Sequence, residues 1–145
     1  MRILVQRVAR ARVRVRGEEV AGIGRGLLLL VGVGAEDDGS QVPKLAQKVA
    51  HLRVFEDEAG KMNLALADVD GEALVVPNFT LYGDTSRGRR PSWIRAASPE
   101  TAEEQVEALA GDLERLGVAV RRGAFREHME VELTNDGPVT LQLEA

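Results

Sequence analysis

Two short runs of this chain hold the groups best placed to do chemistry. The first, Pro77-Asn78-Phe79-Thr80-Leu81-Tyr82-Gly83-Asp84-Thr85, follows directly on the apolar stretch Ala73-Leu74-Val75-Val76. Its hydroxyl, Thr80, is a weak nucleophile at its free pKa unless a base adjoins it, and no His or Lys stands near it in sequence. The second, Asn135-Asp136-Gly137-Pro138-Val139-Thr140, joins residues that tolerate special backbone angles to a proline whose preceding bond adopts cis at modest cost. On spacing alone it reads as a plain hairpin turn. A third segment, Arg87, Arg89 and Arg90 with Trp93, mixes cations with an aromatic, the combination that holds phosphates and stacks bases of single strands. It reads equally well as a solvated loop, and Tyr82 is open between packing and contact.

Other chemistries are not indicated. The sequence has no cysteine, which removes disulfides, thiolate zinc sites and a cysteine nucleophile, and fits a reducing compartment. Its two histidines, His51 and His128, stand far apart and neither has a second His at i, i+4, so both are read as surface or packing residues. No metal and no other cofactor is expected. The net charge of −4 argues against indiscriminate coating of nucleic acid, which needs an excess of cations. The charge is uneven, however. Arg2, Arg7, Arg10, Arg12, Arg14 and Arg16 precede any acid, while Glu100, Glu103, Glu104 and Glu107 cluster elsewhere, so the chain can meet a polyanion in one orientation.

The elements that must position these groups follow from periodicity. Arginines recur every second residue from Arg10 to Arg16, so in a strand they share one wet face while Ala11, Val13 and Val15 face a core. That face serves as a solvated surface, a dimer surface or a phosphate contact. A short strand is expected near Glu19–Ile23 and a buried one at Leu27–Val33, the latter too short to span a bilayer. Gly22, Gly24 and Gly26 lack dinucleotide-loop spacing and are read as turn or bulge glycines. Val42, Leu45, Val49 and Leu52 mark one helix, with Ser40 as its cap. Ser98, Pro99 and Gly117 bracket another, whose Val106, Leu109, Leu113 and Leu116 lie on one face. Strands at Val118–Arg121, Met129–Thr134 and Val139–Leu143 close the chain. The sum is one α+β domain over 1–145, with a curved antiparallel or mixed β-sheet, or a barrel-like core, and two main helices packed outside. With no membrane segment or signal peptide flanks, a cytoplasmic protein is expected.

Both unusual runs resemble motifs of the D-aminoacyl-tRNA deacylases. That family carries Asn-x-Gly-Pro-Val-Thr near its C-terminus, matched in full at 135–140, and Ser-Gln-Phe-Thr-Leu at a central strand end, where this chain reads Pro77-Asn78-Phe79-Thr80-Leu81. Gln6-Arg7-Val8, Gly60-Lys61-Met62-Asn63-Leu64, Asp84-Thr85, Arg90-Pro91-Ser92 and Ala97-Ser98-Pro99 extend the likeness in order along almost the whole length.

The resemblance implies the family fold and hydrolysis of D-aminoacyl-tRNA, with mischarged glycyl-tRNA as a further substrate. It implies a homodimer in which a cis Gly137-Pro138 bond, braced by Arg7, enters the neighbouring subunit's site. Backbone carbonyls there would hold the amino group and leave no room for an L side chain. The partner would be the aminoacylated tRNA end, met by Arg87, Arg89 and Arg90, and not DNA. Backbone N–H groups of Phe79 and Thr80 would stabilise the oxyanion while water attacks, with Asn78 in the substrate-binding set. Departures at Pro77 and Asn78 leave those donors in place. A sister group of deacylases has proline at the first position but alanine at the third, so Phe79 points to the D-specific group. The competing readings are a non-catalytic RNA-binding module on the same fold and an esterase for small acyl compounds, the latter disfavoured by the arginine clusters.

Overall fold

The computed structural model describes residues 1–145. Its backbone is organised by one long strand, β1 (Arg2–Val15), which pairs antiparallel with three others. Its first half pairs with β3 (Gly26–Gly32), its second half with β2 (Glu18–Ile23), and its other edge with β8 (Glu130–Glu144). Beyond β3 the sheet continues in parallel through β6 (Glu72–Pro77) to β7 (Ala119–Arg122). β2 curls back against β6 and β7, leaving a nearly closed mixed barrel. Two helices, α1 (Val42–Ala50) and α2 (Pro99–Arg115), pack on each other and on one face of the sheet. The expected α+β architecture is the observed one.

Strand β3 is apolar throughout because both of its faces are covered. Leu27, Leu29 and Val31 meet the helices, while Leu28 joins Val8, Val13, Leu74 and Val76 in a second cluster inside the curl. Gly26 is not a turn glycine as expected. It opens β3 opposite Glu72, and a Cβ there would lie 1.9 Å from the Glu72 carbonyl oxygen, so only glycine lets the two strands start side by side.

Helix α2 begins and ends where expected. Ser98 caps the Thr101 N–H, Pro99 takes the first position, and Gly117 follows the last turn at φ +87°. Helix α1 differs: Gln41 is the flanking residue, no side chain caps it, and the Ser40 hydroxyl is spent on Asp38. A small ladder of β4 (Phe55–Glu56) with β5 (Met62–Leu64) was not expected.

The larger correction concerns 135–140. No hairpin turns there, because β8 runs through it as one strand. Gln6 pairs with Thr140 and Val8 with Asn135, so Arg7 alone stands opposite Asp136, Gly137, Pro138 and Val139. Four residues against one make a wide bulge, whose middle must leave the sheet. Asn135 closes its base, its Nδ2 donating to the carbonyls of Arg7 at 2.9 Å and Val139 at 3.1 Å, and Val139 is buried below.

The alternating arginines face solvent as expected, yet the stripe is mostly neutralised. Arg12 makes a two-pronged pair with Glu132 at 3.0 and 2.8 Å, and Arg2 and Arg16 reach Glu144 and Glu127. The Arg12 hydrogen bond holds the Glu132 carboxyl below its ordinary range. As a phosphate track this face is largely spent.

Candidate active site

Strand β6 ends at Pro77, which has no N–H to give; Asn78 continues the ladder by donating to the Val31 carbonyl at 2.7 Å. The chain then tightens into a single 3₁₀ turn, Phe79–Tyr82, with Asn78 as its cap. Asn78 Oδ1 accepts from the Thr80 backbone N–H at 3.1 Å and from the Thr80 hydroxyl. Two chemical consequences follow. The partner of the hydroxyl within the chain is an amide oxygen, which is not a base that would activate it. Of the two expected oxyanion donors, the Phe79 N–H at the head of the turn is free of intrahelical partners, while the Thr80 N–H already has the Asn78 oxygen.

The far end of the turn is fixed by groups that sequence reasoning missed. Arg2 Nη1 donates to the Leu81 carbonyl at 3.0 Å and its guanidinium lies 4.6 Å from the centre of the Tyr82 ring. Tyr82 is buried, its hydroxyl 3.4 Å from Asp37 Oδ2. Burial first, and the Asp37 charge second, push this phenol up to about 12. A raised phenol pKa favours the neutral ring of the folded state. The stabilisation is complete below the ordinary value near 10 and is lost as pH rises through about 12. Tyr82 is the only tyrosine, so tyrosinate absorbance reports it alone. The folded protein should titrate with a midpoint near 12, and a midpoint near 10 without unfolding would contradict this packing.

Phe79 itself is 56% exposed and meets Trp93 edge-on, the ring centres 5.2 Å apart. Together they head a cleft of about 520 Å³ between the start of α2 and the segment 125–129, with Val33, Phe125 and Met129 among its apolar walls. His128, read from sequence as surface or packing, stands on its wall beside Arg126.

Arg7 is a buried guanidinium, 5% exposed, aimed into the bulge. Its Nε donates to the Asp136 carbonyl at 3.0 Å, its Nη1 to the Val54 carbonyl at 2.6 Å, and Asp136 Oδ2 lies 3.3 Å away. Gly137 and Pro138, joined by a cis bond, are exposed at the crest. Neither of the two clefts that include Asn78 takes in Gly137 or Pro138. Within one chain, then, neither of these clefts joins the two motif regions.

Arg87, Arg89 and Arg90 are exposed on a loop pinned at its base, where Asp84 and Ser92 exchange two backbone hydrogen bonds of 2.9 Å. The Ser86 N–H holds the Asp84 carboxyl below its usual range. Unlike Arg2, Arg12 and Arg16, these three form no ion pair within the chain. No three His, Asp or Glu side chains converge in a way that could hold a metal, and no helix is long and apolar enough to cross a membrane.

A nearly closed mixed barrel with two helices outside carries a capped 3₁₀ turn at the end of a parallel strand, and the chain's relatives share that frame. Residues 4–144 match the family model described as D-Tyr-tRNA(Tyr) deacylase. The chain is 57% identical to the D-aminoacyl-tRNA deacylase of Thermomicrobium roseum, over 100% of this chain and 94% of that one. It is 54% identical to that of Heliobacterium modesticaldum, over 99% and 96%. Among solved structures it superposes on a c-Myc DNA unwinding element binding protein with a TM-score of 0.93 at 37% identity, covering 100% of this chain and 99% of the other. A probable eukaryotic D-amino acid tRNA deacylase shares the fold at a TM-score of 0.83 and 14% identity, covering 98% and 97%. The chain belongs to the D-aminoacyl-tRNA deacylase family, hydrolases that split the ester between a D-amino acid and tRNA.

Proposed function

We propose that this enzyme proofreads chirality in the cytoplasm by stripping D-aminoacyl and mischarged glycyl groups from tRNA in a site shared between two copies. The observation that carries the reading is the bulge. Its crest is exposed, its base is locked by a buried arginine, and it lies outside its own chain's clefts at Asn78. A rigid projection with no partner in its own chain suits the site of a second copy, where backbone carbonyls can take the substrate's amino group and exclude an L side chain.

A terminal nucleoside seated in the apolar cleft beside Phe79 and Trp93 would have its ester near the Phe79 N–H. Water adds to the ester carbonyl, the Phe79 N–H receives the developing oxyanion, and the Thr80 N–H joins it once Asn78 Oδ1 yields. The ribose oxygen leaves with a proton, its neighbouring hydroxyl assisting, and free D-amino acid and tRNA result. Thr80 orients and does not attack. Arg87, Arg89 and Arg90 meet the acceptor-stem phosphates. Three free cations on a chain of net charge −4 suit one RNA end better than duplex DNA. One observation favours the non-catalytic RNA-binding alternative, namely that the Thr80 N–H is already engaged.

Ester loss from matched D- and L-tyrosyl-tRNA tests the reading. The D substrate should be cleaved at least about a hundredfold faster, and Thr80→Ala should keep its rate within about tenfold. Equal D and L rates would sink the backbone gate. Binding without release of either would establish the non-catalytic alternative, and complete loss in Thr80→Ala with a trapped acyl-enzyme in the parent would establish covalent catalysis.

A further inference from the structure

The segment behind Phe125 carries an arrangement that the reaction above leaves unused. Arg126 sits at φ +62°, a left-handed backbone that a side chain as large as arginine rarely adopts. Such a conformation persists where the surroundings hold it. Its side chain is engaged in an ion pair: Arg126 Nη2 donates to Glu100 Oε1 at 2.5 Å. Glu100 belongs to the first turn of α2 and Arg126 to the opposite segment, and the cleft runs between those two elements. The pair therefore closes a strap across the cleft. Its own backbone hydrogen bond first, and the Arg126 contact second, keep the Glu100 carboxyl below its ordinary range, so the strap is charged at neutral pH.

We propose that Arg126 is a phosphate-binding residue of the cleft, held in reserve by Glu100 until the last phosphodiester of the RNA displaces that carboxylate. This rests on the reading of the cleft as a nucleoside site. The exchange needs no new cation. Arg126 is 54% exposed and Glu100 75% exposed, so water reaches both ends and the pair is weak enough to trade partners. A guanidinium offers the same forked donors to phosphate as to carboxylate. Exchange would also free the loop from its anchor on α2, so binding and loosening of the cleft wall would be coupled.

Trp93 is the only tryptophan and lies in the cleft, so its fluorescence reports occupancy directly. The probes are adenosine and adenosine 5′-monophosphate, whose phosphate stands where the last phosphodiester would lie. The parent should bind the monophosphate about two- to fivefold more tightly than adenosine, the range of an exposed pair. Glu100→Gln should widen that ratio by a similar factor. Arg126→Gly, which suits the left-handed backbone, should bring the ratio to unity. Adenosine binding with the same ratio in all three proteins overturns the strap alone. No adenosine binding in any of them overturns the nucleoside reading of the cleft, and the strap with it.

Discussion

Arg7→Ala is expected to lower stability by about 3 kcal/mol and to bring the D- and L-tyrosyl-tRNA rates close together. The side chain is buried and makes two charge-assisted hydrogen bonds to carbonyls, one at the foot of the bulge and one on Val54, which is itself buried. Each such bond contributes about 1.5 kcal/mol or more, and alanine leaves the Val54 oxygen without its donor. Alanine also strips the side chain from the one residue opposite four on β8, so the crest loses the group that fixes its height. Arg7→Lys retains the charge without the fork and should fall between the two. Urea unfolding and the paired tRNA substrates measure both effects. A destabilised variant with an intact D preference would leave Arg7 a role in the fold alone.

Gly26→Ala should cost about 3 kcal/mol or more and lower Tm by about 10 °C or more, the effect of one methyl group. The added carbon would lie 1.9 Å from the Glu72 carbonyl oxygen and 2.8 Å from the Glu72 backbone carbon and nitrogen. Those are backbone atoms in the first pair of a parallel ladder, so no rotamer relieves the contact and the strands must separate. Pro77 and the donor turn lie at the other end of that ladder, so activity should fall with stability. Gly24→Ala is the control. No atom lies within 4 Å of a Cβ at Gly24, and its cost should stay below about 1 kcal/mol. Equal melting temperatures for the two variants would refute the close approach at Gly26.

Elements set by local rules could be foreseen. Ser98, Pro99 and Gly117 mark α2 because capping is a property of a few adjacent residues, and the alternation of β1 is visible because one of its faces is wet. What depends on partners distant in sequence could not. The β1 arginines look free until the fold sets Glu132, Glu127 and Glu144 beside them, and Asn135-Asp136-Gly137-Pro138 looks like a hairpin until β1 is laid against both of its flanks. At the site, the identities of Asn78, Phe79 and Thr80 were legible from their resemblance to a family motif. The contact that occupies the Thr80 N–H was not, since it depends on the turn that Asn78 caps. Tyr82 stayed open between packing and contact, and nothing local tied it to Arg2 or Asp37, because the three meet only once the ends of β1 and β8 lie next to the turn.

The bulge in β8 is spliced into the middle of a strand that is paired on both sides of it. A loop at a hairpin tip can sway while the sheet below stays whole, but this crest is more like a stop clamped in a vice. Its two jaws are the ladder segments Arg2–Gln6 with Thr140–Glu144 and Val8–Arg14 with Glu130–Asn135. Shifting it by the width of a methyl group means slipping one jaw, and a slip by one residue would turn the apolar face of β8 outward. The tolerance of the stop is therefore set by the cooperativity of the whole barrel, so that, with the crest as the proposed gate, precision in sorting mirror images and resistance to unfolding become one mechanical property.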